Sequence, residues 1–478
     1  MKRNKFFPFN EPENAFIAIG IFFGILLLLI TPPFQAPDEY NHFYRSFQIA
    51  EGRLIAEKKI GDCYHDPITI PTTTCAGGFL PKSIWTTAQK VSDVELRFNP
   101  EKKQKLQTVF SLLNFPLQSN DRIFINFQNT SVSYPIAYLP QAFGIKLGNI
   151  MGFSPLILMY MGRISNLFFW VFLGYTSIKI IPIFKWLIFL LELTPMSHFQ
   201  ASSLSPDAFT NGISILLIAI LLNNAFVQEK PLNKVNILVI LLLSFLLAFS
   251  KFAYFPIIIL FLLIPIRKIR NRKKYFVILF LLILGCISSI IATSILVKEL
   301  LVPYILKFDS SQLISSNDQL IYIFNHPLEF ILVLGRTLYY QGPALVRQYI
   351  GVLGWLDTKL PIFLTISYLV MLMIVSLATN QKDIVISYKQ KIIIFIIIIF
   401  NVTLVGTLLY LGSTPVGGSI IKGLQGRYFI PIAPLLFLLF YNQKFHFDMS
   451  QFSLVVVGYS LFSETITALV LLHRYWHS

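Results

Sequence analysis

The chain has 478 residues, of which 55% are hydrophobic, 15% aromatic and only 13% charged. Because soluble globular domains carry about 25% charged residues, this composition excludes a soluble domain and predicts an all-α integral membrane protein. The net charge of +16 does not indicate nucleic acid as a partner, since the basic residues cluster in short segments between apolar runs, as they do in cytoplasmic loops.

The N-terminal part of the chain predicts one retained span and a long outer loop. Three basic residues precede an apolar run at about 15–30, which is close to bilayer length, and no small-x-small cleavage site follows it. The basic start places the N-terminus in the cytoplasm. Residues 31–154 are then the first extracytoplasmic loop, and its segment 133–140, with two prolines and two tyrosines, is predicted to lie in the membrane interface.

Two of the three cysteines, Cys63 and Cys75, lie in this outer loop, and Cys286 lies in an apolar run. An extracytoplasmic position favours a disulfide between the first two, which would constrain the loop by about 3 kcal/mol. Two free thiols are the alternative.

Apolar runs and basic loops predict about eleven spans in a single transmembrane domain, 1–478. The strongest anchor is Arg267–Lys274, with six basic residues in eight, which must be cytoplasmic. Residues 298–358 form a second outer segment with interfacial helices, and the C-terminus lies outside. The spans after the first are predicted at about 155–178, 181–197, 208–226, a hairpin within 235–266 that turns at Ser250-Lys251, 275–297, 360–379, 392–411, 427–441 and 452–472.

The function is expected at the first membrane exit, where two acids follow Pro37. If a helix begins at Pro37, Asp38, His42 and Arg45 share one face, and Glu39 lies about 100° round. A carboxylate there can take a proton from an attacking hydroxyl or hold a divalent ion. The alternative is that the two acids only complement the helix dipole.

The predicted topology brings one more acid and four cations to the same outer face. Asp207 is either a second site acid or a turn and cap residue. The cations are either ligands of a lipid phosphate or pyrophosphate or snorkelling side chains at helix ends. Gly426 is expected to let the backbone approach a ligand. The four cations are Lys251, Arg336, Arg347 and Arg427.

Few charges lie deeper in the membrane, namely Arg163, Glu192 and Glu464. Glu464 is either a proton-relay group or a helix-packing carboxyl. Transporters concentrate ionisable groups near the midplane, so polar groups at one rim favour chemistry at the membrane surface. Because there is no P-loop, dinucleotide fingerprint, zinc spacing or Gly-x-Ser-x-Gly motif, an activated nucleotide donor is not expected.

Five motifs in chain order resemble a bacterial family of predicted multi-spanning membrane proteins of unknown function. That family is similar to the GT-C-fold glycosyltransferases, such as protein mannosyltransferases and the lipid A aminoarabinose transferase. The motifs are Pro-Asp-Glu-x-x-His-Phe-x-Arg (37–45), Tyr-Pro-x-x-Tyr-x-Pro (134–140), Thr-Pro-Met…Ser-x-Asp (194–207), Lys251 with Tyr254, and Gln-Gly-Arg-Tyr-Phe-x-Pro (425–431).

The resemblance implies a GT-C-like enzyme of the bacterial inner membrane. Its substrates would be a polyprenyl-phosphate-linked sugar donor and an extracytoplasmic glycan or glycolipid acceptor, with membrane lipids around it. Asp38 matches the acid that serves as base or binds a metal, and Glu39 lies beside it. The chain lacks Asp-x-Asp in the first loop, so no cofactor is certain and a divalent metal stays open. A non-enzymatic polyprenyl-lipid or glycan binding or export protein is the alternative. The expected substrate-binding residues are His42, Arg45, Arg163, Asp207, Lys251, Arg336, Arg347 and Arg427.

Overall fold

The helices follow the apolar runs of the sequence. The computed structural model describes residues 11–67, 69, 71–92, 94–227, 231–300, 314–378, 384–442 and 449–476. Residues 301–313 of the predicted second outer segment are therefore outside the described part. The α-helices are α1 (Pro12–Ile30), α2 (Glu39–Ala50), α3 (Lys82–Val91), α4 (Val94–Phe98), α5 (Leu106–Leu113), α6 (Gln128–Ser131), α7 (Leu139–Ile150), α8 (Pro155–Ile180), α9 (Lys185–Glu192), α10 (Pro195–Ala201), α11 (Asp207–Phe226), α12 (Lys234–Ser250), α13 (Arg272–Leu300), α14 (Ser316–Asn325), α15 (Pro327–Gly351), α16 (Ile362–Leu377), α17 (Tyr388–Ser413), α18 (Ala433–Leu438) and α19 (Met449–Tyr475).

Shorter elements connect these helices. The strands β1, β2 and β3 form an antiparallel sheet in the first outer segment, and β4 and β5 form a two-stranded hairpin between α15 and α16. The 3-10 helices cover Pro135–Tyr138, Phe252–Leu263, Ile266–Ile269 and Gly426–Ile432. The strands are β1 (Glu57–Ile60), β2 (Thr74–Pro81), β3 (Arg122–Asn126), β4 (Val352–Leu353) and β5 (Thr358–Lys359).

Six helices in the described part are long and apolar enough to cross a membrane, and they confirm a helical membrane protein. They are α1, α8, α11, α13, α17 and the Phe452–Tyr475 part of α19. Four shorter apolar helical segments, Lys234–Ser250, Phe252–Leu263, Ile362–Leu377 and Gly426–Leu438, lie in other predicted spans. The count of eleven spans therefore stays a prediction.

The apolar stretch 235–266 folds as two helical segments, as its basic flanks predicted. The first, α12, ends at Ser250, and Lys251 has extended backbone angles (φ −160°, ψ 97°). The second segment is a 3-10 helix that contains Pro256, whose missing N–H and ring disfavour an ordinary α-helix. The side chain of Lys251 is thus presented at the turn between the two segments.

The predicted span at 181–197 is broken in the middle. Helix α9 ends at Glu192, and α10 begins at Pro195. Proline is favoured in a first helical turn because it has no N–H to lose. The Thr194 hydroxyl accepts a hydrogen bond from the Ser197 amide at 3.4 Å and caps the new helix. The break places a polar turn inside the helical bundle.

The first outer segment contains a three-stranded sheet that the sequence did not predict. Its central strand, β2, pairs with β1 on one side and with β3 on the other. Cys63 and Cys75 form a disulfide between the loop after β1 and strand β2. Helix α7 packs closely on α8, because a Cβ at Gly144 would meet the Met161 carbonyl and the Ser165 side chain.

The C-terminal end of α19 is held by the first outer segment. Arg474 donates hydrogen bonds to the carbonyls of Leu96 at 2.8 Å and Lys102 at 2.9 Å. Its Nε also lies 2.7 Å from an Asp357 oxygen in the β4–β5 hairpin. These contacts put the end of α19, the first outer segment and the hairpin on one side of the protein.

Impermeant thiol labelling tests this arrangement. Glu101→Cys and His473→Cys introduce thiols at exposed positions, and we expect both to react with a membrane-impermeant maleimide in intact cells. Lys273→Cys, exposed in the basic loop, should react only after lysis, since basic loops stay cytoplasmic. Unmodified protein is the control, because Cys286 is buried and the other two cysteines are disulfide-bonded. Labelling of positions 101 and 473 from opposite sides would contradict the structure.

Candidate functional site

The first helix after the membrane exit begins two residues later than the expected start at Pro37. Helix α2 starts at Glu39, and Asp38 adopts left-handed backbone angles (φ 57°, ψ 15°), a region that Asp and Asn tolerate better than most residues. The Asp38 carbonyl accepts the His42 amide at 3.0 Å. Its carboxylate accepts a hydrogen bond from the Asn129 amide at 3.0 Å. Asp38 is therefore held at the helix start by backbone and side-chain contacts.

Burial controls the protonation of both Asp38 and His42. Desolvation raises the pKa of Asp38 above its usual value, while the charge of Arg427 opposes the rise. Desolvation lowers the pKa of His42 to about 3, although nearby Asp207 acts in the other direction. His42 is thus a neutral imidazole at neutral pH, with Nδ1 2.9 Å from the Tyr138 hydroxyl.

Asp207 gathers the two cations that the sequence placed on its side of the membrane. The Lys251 ammonium lies 3.2 Å from Oδ1, and the Arg427 Nε lies 4.0 Å from Oδ2. Gln200 donates a hydrogen bond to Oδ2 at 3.0 Å. The Lys251 ammonium also lies 4.7 Å from the centre of the Tyr428 ring, within the range of a cation–π contact. Lys251 and Arg427 therefore converge on one carboxylate.

A pocket opens beside this cluster. Its cavity volume is about 10 Å³, which is room for about one water molecule, within a wider space of about 290 Å³ that includes open solvent. Its walls come from the chain after α1, from α10 and the turn that follows it, from the β4–β5 hairpin and from Arg427. The residues that line it are Ala36, Pro37, Met196, Phe199, Gln200, Ser203, Ser205, Val352, Gly354, Leu356 and Arg427.

Glu39 and Arg163 form a separate, fully buried ion pair. Both side chains are 0% exposed, and the guanidinium contacts both Glu39 oxygens, at 2.8 and 2.6 Å. Arg163 also donates to the carbonyls of Leu28, Thr31 and Pro32, so all five of its N–H groups are used. The expected roles of Glu39 in catalysis and of Arg163 in phosphate binding therefore do not fit this geometry, because neither has a free polar atom to offer.

Arg45 lies three positions after His42 on α2, but Asp38 precedes the helix and does not share their face by helical spacing. Its guanidinium is buried and donates to the side chain of Gln48 and to the carbonyls of Leu54 and Ser133. Because α2 begins after Asp38, the spacing that was expected to align the three residues does not apply. The geometry gives Arg45 a part in anchoring the outer segment.

Two other cations have contacts within or near α15. Arg336 pairs with Glu329 of the same helix at 2.9 Å, with both side chains 39% exposed. Arg347 donates to the Leu360 carbonyl at 3.4 Å. Gly426 also faces α15, since a Cβ there would collide with the Leu345 carbonyl oxygen. Gly426 therefore permits close packing of two backbones, and not the approach of a ligand that was expected.

The hairpin is a part of the pocket that the sequence did not predict. Gly354 and Leu356 both have positive φ angles, 61° and 65°, which allow the tight turn between β4 and β5. Trp355 stacks on Tyr40 with ring centroids 6.0 Å apart. Since strands of two residues carry no detectable alternation, only the Gly-Trp pair in the sequence hinted at a turn.

Metal-ligand geometry occurs at one place in the described part of the chain. Ligand atoms of Cys63, His65 and Cys75 lie within 4.8 Å of one another. Both sulfur atoms are joined in the disulfide, so neither is a thiolate that could bind zinc. The divalent metal considered at Asp38 stays a prediction.

Comparison with known proteins gives one match. A family model described as "Predicted membrane protein (DUF2142)" matches residues 21–436. No curated protein and no solved structure matches the chain. The matched region includes the first membrane exit, Asp207, Lys251 and Arg427.

The buried ion pair predicts that Glu39 supports the fold. Glu39→Gln leaves the Arg163 charge without its partner, so we expect a loss of about 3–5 kcal/mol in unfolding free energy, the range for breaking a buried pair. Thermal and denaturant unfolding in detergent measure this loss.

Glu51→Gln is the matched control for this variant. Glu51 also binds an arginine through both oxygens, Arg122 at 2.6 and 2.9 Å, but this pair is partly exposed. We expect its loss to cost about 1 kcal/mol or less. Equal stability of Glu39→Gln and the unmodified protein would show that the pair does not hold the fold.

Proposed function

This chain belongs to the DUF2142 family of predicted membrane proteins, and we propose that it is a GT-C-type membrane glycosyltransferase. It moves a sugar from a polyprenyl-phosphate carrier to an extracytoplasmic glycan or glycolipid. The observation that supports the proposal most is the convergence of Asp38, His42, Asp207, Lys251 and Arg427. The charges of the last three act on His42, and that of Arg427 acts on Asp38.

Asp38 is the proposed general base. Its raised pKa makes the carboxylate a better proton acceptor than an ordinary aspartate. One oxygen is positioned by Asn129, as a base needs an orienting partner. The acceptor hydroxyl oxygen forms a bond to the anomeric carbon, its proton passes to Asp38, and the bond from that carbon to the phosphate oxygen breaks.

Lys251 and Arg427 are the proposed partners of the carrier phosphate. Negative charge builds on that phosphate as it leaves, and fixed cations at this position stabilise it. The two cations already lie against the Asp207 carboxylate, so the site is arranged to hold an anion. Asp207 keeps the pair in place when no phosphate is bound.

Asp38→Asn tests the base. The replacement keeps a residue that tolerates the left-handed backbone and removes the proton acceptor, so we expect sugar transfer to fall by about 10²–10⁴-fold. The measurement is transfer of radiolabelled sugar from a synthetic polyprenyl-phosphate sugar by purified protein.

Asp62→Asn is the control, because Asp62 is an exposed acid of the same outer segment and should transfer at the unmodified rate. Melting temperatures of both variants must match that of the unmodified protein. Near-normal transfer by Asp38→Asn would reject Asp38 as the base.

The alternative function is a non-enzymatic protein that binds or exports a polyprenyl lipid or glycan. The paired cations at Asp207 favour it as the second candidate, since they bind an anion without any chemistry at Asp38. Arg427→Gln should weaken binding of polyprenyl phosphate under both proposals, by about tenfold if one charge-assisted hydrogen bond is lost. Equilibrium binding of labelled polyprenyl phosphate measures it. Binding that depends on Arg427, together with no transfer by any variant or by the unmodified protein, would support the alternative.

A further inference from the structure

The break between α9 and α10 leaves one carboxyl group inside the helical bundle. In membrane proteins, the ends of broken helices hold ions or protons because their last carbonyls have no partner in the helix. Here the Tyr368 hydroxyl donates to the carbonyls of Leu190 at 2.7 Å and Leu193 at 2.9 Å. These two carbonyls therefore share one hydroxyl donor, and the side chain of Glu192 lies at the same break.

Neither carboxyl oxygen of Glu192 accepts a hydrogen bond of full geometry in the described part of the chain, and the Trp170 indole acts on the carboxyl group as a donor. The side chain of Glu192 is 0% exposed. The Tyr349 hydroxyl lies within electrostatic range of Glu192 and is itself buried without a hydrogen-bond partner among the described residues. A carboxylate without a cation or a set of donors is strongly disfavoured in such surroundings. The geometry therefore requires a bound proton on Glu192.

Glu39 shows what the same bundle provides for an ionised carboxylate. It is also 0% exposed, yet both of its oxygens contact Arg163, and one also accepts the Leu204 amide at 3.0 Å. The two glutamates thus have equal burial and opposite surroundings. Lys185, on the same helix as Glu192, lies at its other end and pairs with Glu13.

A second buried carboxyl group, Glu464, contacts His198 of α10, the helix that follows the break. His198 Nε2 lies 3.0 Å from the Gly20 carbonyl, and Nδ1 lies 2.8 Å from a Glu464 oxygen. A carbonyl only accepts, so Nε2 donates, and one further proton lies between Nδ1 and the carboxyl group. The same helix, α10, lines the pocket through Met196 and Phe199.

We propose that Glu192 is an intramembrane proton-binding site that exchanges its proton with the outer pocket through the Tyr349 hydroxyl. Tyr349 lies near the end of α15, three residues before Val352 of the pocket wall. The neighbouring Gln348 accepts the Gly426 amide at 2.9 Å, which ties this end of α15 to the chain beside Arg427. The helix that carries Tyr349 therefore leads to the wall of the pocket at Val352, and the charge of Glu192 acts on the Tyr349 hydroxyl. This proposal does not depend on glycosyl transfer.

Infrared difference spectroscopy of the full-length protein in lipid vesicles tests the site. The spectrum of the unmodified protein minus that of Glu192→Gln, at neutral pH, should contain the C=O band of a carboxylic acid and no carboxylate bands. Glu192→Gln replaces one neutral group by another, so its melting temperature should equal that of the unmodified protein. A difference spectrum with carboxylate bands at neutral pH would overturn the proposal.

Deuterium exchange tests the route. On transfer to heavy water, the acid band should shift rapidly in the unmodified protein, and Tyr349→Phe should keep the band but lose this fast phase. Tyr410→Phe is the control, because that buried hydroxyl donates to the Gly418 carbonyl at 2.9 Å and is outside the proposed route. Exchange of Tyr349→Phe at the unmodified rate would overturn the proposal.

Sodium ions distinguish a proton site from an alkali-cation site. When sodium replaces N-methylglucamine in the buffer, the C=O band of the Glu192 carboxylic acid should remain unchanged. Its conversion to carboxylate bands would show that the site takes a metal cation, and the proposal would be rejected.

Discussion

The ion pair of Glu39 and Arg163 fixes the position of everything at the outer end of the bundle. Arg163 on α8 contacts the acid at the start of α2 and also the last carbonyls of the first membrane helix and its exit. One fully buried guanidinium thus joins α1, the membrane exit and α2. Because five of its donors are committed, the exit cannot shift without leaving a buried charge unpaired. Asp38 takes its position from this constraint.

The protein contains two kinds of buried acidic side chain, which differ in their surroundings. Glu39 and Asp207 contact cations and several donors, whereas Glu192 has no cation partner in the described part of the chain and has the Trp170 indole as its donor. The first kind organises positive charge around it, and the second kind is the proposed proton site. Burial alone does not separate them, since Glu39 and Glu192 are both 0% exposed. The set of partners decides the role of each carboxyl group.

Hydropathy was sufficient to predict the apolar helices, because they depend on composition over long windows, and the basic flanks of 235–266 predicted the turn at Lys251. Together the two signals placed Asp38, Asp207, Lys251 and Arg427 at one end. Hydropathy failed for the three-stranded sheet, whose eight-residue central strand is buried on both faces and does not alternate, and for the β4–β5 hairpin, whose strands have two residues each. The break at Thr194-Pro195 was missed because the predicted span was extended to residue 197, across Pro195.

The roles of individual charges were the least predictable part of the site. Glu39 and Asp38 are adjacent in sequence, yet one points to Arg163 and the other to Asn129. The direction of both side chains depends on the left-handed backbone angles of Asp38. The periodicity of the sequence does not reveal such angles. Arg163 was expected among the phosphate ligands from the family resemblance. Three of its five hydrogen-bond acceptors are backbone carbonyls, and the sequence does not reveal such contacts.

The contacts at the end of α19 have a consequence for biosynthesis. Arg474 binds the carbonyl of Leu96, 378 positions earlier, and the Trp476 indole donates to the Ile30 carbonyl at 2.6 Å. A nascent chain emerging from the ribosome therefore inserts its first helix and folds its outer segment long before their last partners are translated. Until residues 474 and 476 are translated, the outer segment and the membrane exit lack their contacts with the end of α19. A ribosome that stalls before codon 474 leaves these contacts unmade.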